Sequence, residues 1–198
     1  TKDGSWDRIG NFEVETFRYL LKTFPTGILS LVSDTWDLWR VITEYCEILK
    51  DEILARDGKL VIRPDSGDPV DIICGDITIA IENGGIETPA SKGVVELLWD
   101  IFGGTTTSTG YKKLDSHIGA IYGDSINYNR AESIYERLSK KGFSTTNIVL
   151  GVGSYSLQMV TRDTHGMAQK ATYIEIEVNG EVEGINIFKD PITDDGTK

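Results

Sequence analysis

Cysteine and histidine are scarce in this 198-residue chain, which has two of each. Cys46 sits in a helical pattern (EYCEILK), Cys74 follows an apolar run (DIICGD), and neither belongs to a CxxC pair. A disulfide framework is therefore excluded, and two buried thiols in a reducing compartment are expected. His117 and His165 are too few for an ordinary zinc site without thiolate help. No apolar run approaches ~18 residues, so no membrane helix is expected. The opening TKDGSWDRIG shows no basic start followed by an apolar stretch, hence no visible signal peptide. The expected location is cytoplasmic. Basic charge is also short: 20 Lys and Arg stand against 31 Asp and Glu, a formal net charge of −11. Such a chain makes a poor footprint for nucleic acid. Any anion it binds must be held by a local pocket against the overall field.

What is present is an alternation of helix-like and strand-like segments, with no internal repeat. The spacing predicts a helix over Phe12–Phe24, stopped by Pro25 and Gly27, and a buried strand at Ile28–Val32. Ser33, Asp34 and Thr35 read as an N-cap cluster for one long amphipathic helix over Trp36–Leu54, with Trp36 and Trp39 on it as core residues. Asp57-Gly58 reads as a turn before a strand at Lys59–Arg63. The stretch Gly75–Gly93 reads as a loop that could carry a short strand at Ile77–Ile81. A short helix follows at Val94–Phe102, then a polar hairpin or loop at Gly103–Gly110. A strand at His117–Tyr122 leads to a helix at Tyr128–Lys141 that stops at Gly142. A strand at Asn147–Leu150 leads to a helical stretch at LQMV. Thr172–Val178 and Glu183–Phe188 flank Asn179-Gly180, a hairpin signal. Strand–helix alternation argues a parallel sheet or barrel whose active site lies at the carboxyl ends of the strands. Four such strands are half of an eight-stranded barrel, so either the sheet is open or the chain is part of something longer.

Three constellations follow those strands. In Arg63-Pro64-Asp65-Ser66-Gly67-Asp68-Pro69, the arginine offers a donor fork for phosphate or carboxylate. Its aspartates offer acceptors for sugar hydroxyls or hydrated magnesium; a capped, salt-bridged turn is the plainer reading. In Gly123-Asp124-Ser125, glycine admits a ligand to the backbone and Asp124 accepts from a hydroxyl, against an ordinary N-cap. In Gly151-Val152-Gly153-Ser154-Tyr155-Ser156, backbone N–H groups before a helical stretch form a weak phosphate cradle with Arg162 beyond it, against a plain strand-to-helix turn. Lys170 and Lys189 lie in AQKATY and IFKDP, where solvated lysines are the default. His165 in TRDTHG has no catalytic companion in sequence and reads as a loop residue.

VIRPDSGDP, HIGAIYGDSI, NIVLGVGS, VTRDTHGMAQKATY and IFKDPITDDGTK, in this order and spacing and with FPTGILSLVSDTWD upstream, resemble the nicotinamide phosphoribosyltransferases. These belong to the type II, nicotinate/nicotinamide phosphoribosyltransferase family. The resemblance runs through essentially the whole chain and matches the C-terminal half of the family. It implies an α/β fold, the irregular (β/α) barrel of the type II enzymes. Here that would be a partial barrel over residues 1–170, with a β-hairpin and tail of an added sheet domain over 171–198. It implies condensation of nicotinamide with 5-phosphoribosyl-1-pyrophosphate (PRPP) to nicotinamide mononucleotide and pyrophosphate. It also implies Mg²⁺, stimulation by ATP through a phosphorylated histidine, and a homodimer with active sites at the interface. By motif, Arg63 would contact pyrophosphate and the nicotinamide side, and Asp65 the ribose hydroxyls, these two being the catalytic pair. Gly123 and Asp124 would line ribose and base. Gly153 and Ser154 would donate backbone N–H groups to the 5′-phosphate, with Arg162 as cationic partner. Lys170 and Lys189 match phosphate-channel lysines, and Ser30 and Asp34 match positions near the nicotinamide tunnel. The phosphorylated histidine and the nicotinamide clamp fall upstream of the matched half, and neither histidine here sits in a matching context. Two alternatives stay open: nicotinate phosphoribosyltransferase, or a non-catalytic sugar-phosphate-binding or dimerisation fragment.

Overall fold

The computed structural model describes residues 5–153, 158–160, 163–167, 169–178, 180–188 and 191–193. The fold is mixed α/β: one parallel sheet and two antiparallel hairpins. Helix α1 (Ser5–Thr23) runs into β1 (Thr26–Val32). Val14, Phe17 and Leu21 recur at helical spacing and are buried. The Arg18 Nε donates to Glu52 at 2.7 Å and ties α1 to the helical segment that follows β1.

That segment is not one helix. It divides into α2 (Leu38–Arg40), a π turn at Val41–Tyr45, α3 (Cys46–Ile48) and α4 (Lys50–Leu54). Leu38, Ile42 and Cys46 follow one another in four-residue steps, and all three are buried. Such steps drift off the stripe of a 3.6-residue helix, and the wider π turn returns them to one face. The N-cap is Asp37, whose carboxylate accepts from the Arg40 N–H at 3.0 Å, and not the Ser33–Thr35 cluster. Trp36 lies before the helix and meets Phe188 edge-on at 5.4 Å.

β2 (Asp57–Arg63) begins inside the expected turn, because Asp57 and Gly58 pair with Thr26 and Gly27. A Cβ on Gly58 would sit 2.0 Å from the Gly27 carbonyl oxygen, so glycine permits this pairing. Then come α5 (Pro69–Cys74), α6 (Ile77–Glu82), α7 (Pro89–Lys92) and α8 (Val94–Phe102). The expected strand at Ile77–Ile81 is therefore helical. Asp76 caps it by accepting from the Thr78 N–H at 2.9 Å, and Ala80 is its buried contact while Ile77 and Ile81 face out. A short apolar run alone does not separate strand from helix; the cap does.

β3 (Gly104–Thr106) and β4 (Lys112–Leu114) form the first hairpin. β5 (Ile118–Tyr122), α9 (Tyr128–Lys140) and β6 (Ile148–Leu150) follow as expected, with Gly142 at φ +80° beyond α9. Gln158–Val160 is turn and bend, not helix; the rest of that stretch lies outside the described residues. β7 (Tyr173–Val178) and β8 (Glu181–Asn186) make the second hairpin around Gly180.

The parallel sheet has the order β1-β2-β5-β6. Side chains alternate across it. Leu31, Leu60, Ile62, Ile118, Ala120, Tyr122 and Ile148 belong to the core packed under the helices. Both thiols, Cys46 and Cys74, are free and buried, and burial pushes each up to about 12. The opposite face is exposed at its two edge strands, where Ile28 is 78% exposed, Val149 60% and Val32 37%, while Val61 on the inner strand β2 is buried. Barrel closure is not seen among the described residues; the sheet is open, with β1 and β6 at its edges.

Candidate functional site

Because the four strands are parallel, their carboxyl ends share one edge. Three of the sequence constellations begin there, at Arg63, Gly123 and Gly151. Hydrogen bonds lock the β1 and β2 ends together. The Ser33 hydroxyl donates to the Leu31 carbonyl at 2.8 Å and accepts from the Arg63 N–H at 3.3 Å, while the Ser33 N–H donates to the Arg63 carbonyl. Asp34 is fully buried, and its Oδ2 accepts from the Asp65 N–H at 2.9 Å and from the Ser66 hydroxyl. The described contacts of Asp34 thus fix the Pro64–Gly67 turn from beneath.

Tyr122 ties in the third strand. Its fully buried hydroxyl lies 3.0 Å from the Ser66 carbonyl and 2.9 Å from that of Gly67, and donates to them. Burial first, then the carboxylates of Asp124, Asp34, Asp65 and Asp68, push the phenol well above its ordinary value. Three candidate residues from three separate strand ends, Asp34, Asp65 and Asp124, therefore bear on one phenol. Asp124 is not the cap of α9; that is Asn127, accepting from the Arg130 N–H at 2.9 Å. Asp68 does cap α5, through the Val70 N–H at 2.8 Å, so the plainer reading holds for this end of the first constellation. Arg63 is exposed and makes no ion pair among the described residues.

β6 arrives through a close backbone approach. The Gly151 N–H donates to the Tyr122 carbonyl at 2.9 Å, and a Cβ on Gly151 would lie 2.6 Å from the Gly123 Cα. Glycine is required sterically at position 151; Gly123 and Gly153 are exposed, with open space where a Cβ would point. Ser30 is exposed on the bare face of β1, and Lys170 is exposed ahead of β7. Ser154, Arg162 and Lys189 lie outside the described residues.

The tail returns to this edge. The Ile192 N–H donates to the Trp36 carbonyl at 2.8 Å, and the Thr193 and Ser66 hydroxyls are 2.5 Å apart. Sequence reasoning missed Tyr122, Ser33 and this return. A hydroxyl-bearing aromatic at the end of a buried strand was the available signal for the first; nothing local announced the last.

The arrangement offers one guanidinium, acceptor oxygens and close backbone access at one sheet edge, which suits a polyhydroxylated, phosphorylated ligand. Comparison with known proteins gives the family. The model of the nicotinate phosphoribosyltransferase (NAPRTase) family matches residues 7–198. The chain is 51% identical over 195 residues to a nicotinamide phosphoribosyltransferase of Acinetobacter baylyi, covering 94% of this chain and 36% of that protein. It is 41% identical over 185 residues to one of Mycoplasma pneumoniae, covering 92% and 38%. It is 35% identical over 195 residues to one of Xanthomonas campestris, covering 97% and 36%. The chain thus spans little more than a third of the length of these curated relatives.

Proposed function

The chain belongs to the nicotinate phosphoribosyltransferase family, and on that premise we propose that it carries the phosphoribosyl-holding part of a pentosyl transfer site. The reaction is condensation of nicotinamide with PRPP, giving nicotinamide mononucleotide and pyrophosphate in NAD biosynthesis. The observation that carries this reading is the linkage of three strand ends through Asp34, Ser66 and Tyr122, which places Arg63, Asp65 and Asp124 at one edge.

Transfer of a ribosyl group passes through an oxocarbenium-like state, so the protein's task is positioning and charge stabilisation. Arg63 has the fork geometry for oxygens of the departing pyrophosphate. Asp65 and Asp124 accept from ribose hydroxyls, and the Gly123–Gly151 approach keeps side chains out of the ligand's way. Gly153, Ser154 and Arg162 take the 5′-phosphate in this proposal, and Lys170 and Lys189 guide phosphate groups. Ser30 faces the nicotinamide side.

No group of three or more metal-ligating side chains is found among the described residues. The oxygen donors of Asp65 and Asp124 fit Mg²⁺ entering with its diphosphate, held through water, where the ion would neutralise charge on the leaving group. Closure of the open sheet into a type II barrel, ATP stimulation and a homodimer with interfacial sites are carried over from the family as parts of the same proposal. Residues 171–198 would be the tail of an added sheet domain.

The test is calorimetric titration of the chain with PRPP. Arg63→Ala should weaken binding about ten- to a hundredfold, corresponding to ~1.5–3 kcal/mol for a charge-assisted contact. Asp65→Asn should weaken it less, since an amide oxygen still accepts. Equal affinity for wild type and Arg63→Ala overturns the reading. Nicotinate in place of nicotinamide is the second reading, favoured by the family's own description. Product formed from each base, after completing the chain with the remainder of the Acinetobacter relative, separates the two.

A further inference from the structure

The Ser66 side chain is buried, and its hydroxyl stands between two oxygens from distant parts of the chain. It donates to Asp34 Oδ2, and the Thr193 Oγ1 lies 2.5 Å away. A serine hydroxyl has a single hydrogen to give. With that hydrogen on Asp34, the Ser66 oxygen accepts and Thr193 is the donor. The bonds therefore run in one direction, from the Thr193 hydroxyl to the Ser66 hydroxyl to Asp34 Oδ2, which also accepts the Asp65 N–H at 2.9 Å. A chain of this kind strengthens along its length, because each donor is polarised by the bond it accepts.

The tail backbone is seated beside this chain of bonds. A Cβ on Gly67 would lie 2.6 Å from the Thr193 carbonyl oxygen, so turn and tail pass at backbone distance. One residue earlier, the Ile192 N–H donates to the Trp36 carbonyl at 2.8 Å, and the Trp36 ring meets Phe188. Tyr122 holds the Ser66 and Gly67 carbonyls from the β5 side. The Pro64–Gly67 turn is thus held by Asp34 after β1, by Tyr122 at the end of β5 and by Thr193 from the tail. The first two stand at strand ends of the sheet. Thr193 comes from 127 residues beyond Ser66, so its hold lasts only while the tail is docked.

We propose that Thr193 is a positioning residue for ligand binding at the strand ends: docked on Ser66, it fixes the turn that presents Asp65, and tight binding requires the docked tail. The proposal rests on the reading of Asp65 as a ribose contact. Thr193 acts through Ser66 and touches no ligand itself.

Two readouts on the full chain test it: calorimetric titration with PRPP, and amide exchange followed by NMR without ligand. Thr193→Val keeps the shape and removes the donor. It should weaken PRPP binding about fivefold and speed exchange of the Asp65 N–H by a similar factor, with Leu60 in β2 unchanged. Thr193→Ser retains a hydroxyl and should restore both to near wild type. On a Ser66→Ala background Thr193→Val should add nothing, since the acceptor is already gone. Equal Asp65 exchange in wild type and Thr193→Val overturns the proposal, as does an undiminished effect on the Ser66→Ala background. Exchange at Leu60 that speeds up by the same factor also overturns it, because that marks general loosening. Full PRPP affinity in Thr193→Val, where Arg63→Ala weakens it, overturns the proposal and leaves the reading of the site intact. Unchanged affinity in Arg63→Ala, with Asp65 exchange faster in Thr193→Val, does the reverse: Thr193 keeps its hold on the turn and the reading of the site falls.

Discussion

Glu13 illustrates how one side chain sets a pH response. Burial, then the charges of Asp37 and Asp34, raise its carboxyl to about 7 against the opposing pull of Arg40. A carboxyl raised in the folded state adds stability that is full below its unfolded value near 4.5, and is lost as pH rises to about 7. Glu13→Gln should therefore gain stability relative to wild type at pH 8, by about 2 kcal/mol, and almost none at pH 4.5. Urea midpoints at the two pH values check this; a gain independent of pH would refute it. Tyr122→Phe leaves the Ser66 and Gly67 carbonyls without their buried donor and should cost ~1–3 kcal/mol. It should also weaken PRPP binding, because the turn bearing Asp65 loses its anchor. Residue positions were legible in part. Arg63, Asp65 and Asp124 stand out in sequence because they follow apolar runs. Asp34 was read, by resemblance, as matching a position near the nicotinamide tunnel; its hold on the turn through Asp65 and Ser66 was not read. No local pattern tells a carboxylate that binds a ligand from one that binds the next loop.

Elements whose hydrophobic period is strong, α9, α8 and β5, were legible almost to the residue, and the β7–β8 hairpin was legible with its second strand starting two residues earlier than expected. Those settled by neighbours were not. The π turn answers a four-residue spacing, α6 answers the Asp76 cap, and Asp57-Gly58 joins β2 because Gly27 lies against it. The junction of α5 and α8 depends on one lysine. The Lys141 Nζ donates to the Cys74 carbonyl at 2.8 Å and the Lys92 carbonyl at 2.7 Å, and pairs with Glu96 at 2.5 Å. Here Gly75 and Gly93, at φ +81° and +82°, pass so closely that a Cβ on Gly93 would be 2.1 Å from the Gly75 nitrogen. Lys141→Met should cost ~1–3 kcal/mol. In a double-mutant cycle with Glu96→Gln the losses should not add, since the two share one interaction; strict additivity in chemical denaturation would refute the pairing.

At the scale of the molecule, the second sheet face sets what the chain does alone. Ile28, Val32 and Val149 are exposed on its edge strands, and apolar surface of this kind binds apolar dyes. Val149→Ser should lower dye fluorescence while leaving the melting temperature nearly unchanged, because the side chain is already 60% exposed. The 198-residue chain by itself should form no nicotinamide mononucleotide from PRPP, Mg²⁺ and nicotinamide, as it spans little more than a third of its relatives; product in a purified assay would refute this. The α/β class and parallel strands were legible because each strand carries its own apolar run. What covers the second face of the sheet was not, since alternation does not say what packs there. The return of the tail has a kinetic consequence. Ser66 and Thr193 meet across 127 residues, and contacts that close so long a loop are among the last to form and the first to open. Hydrogen exchange at the Ile192 and Asp65 amides should then run ahead of exchange at Leu60 in the sheet. Ligand binding at the strand ends would fade under mild denaturant while the core still stands.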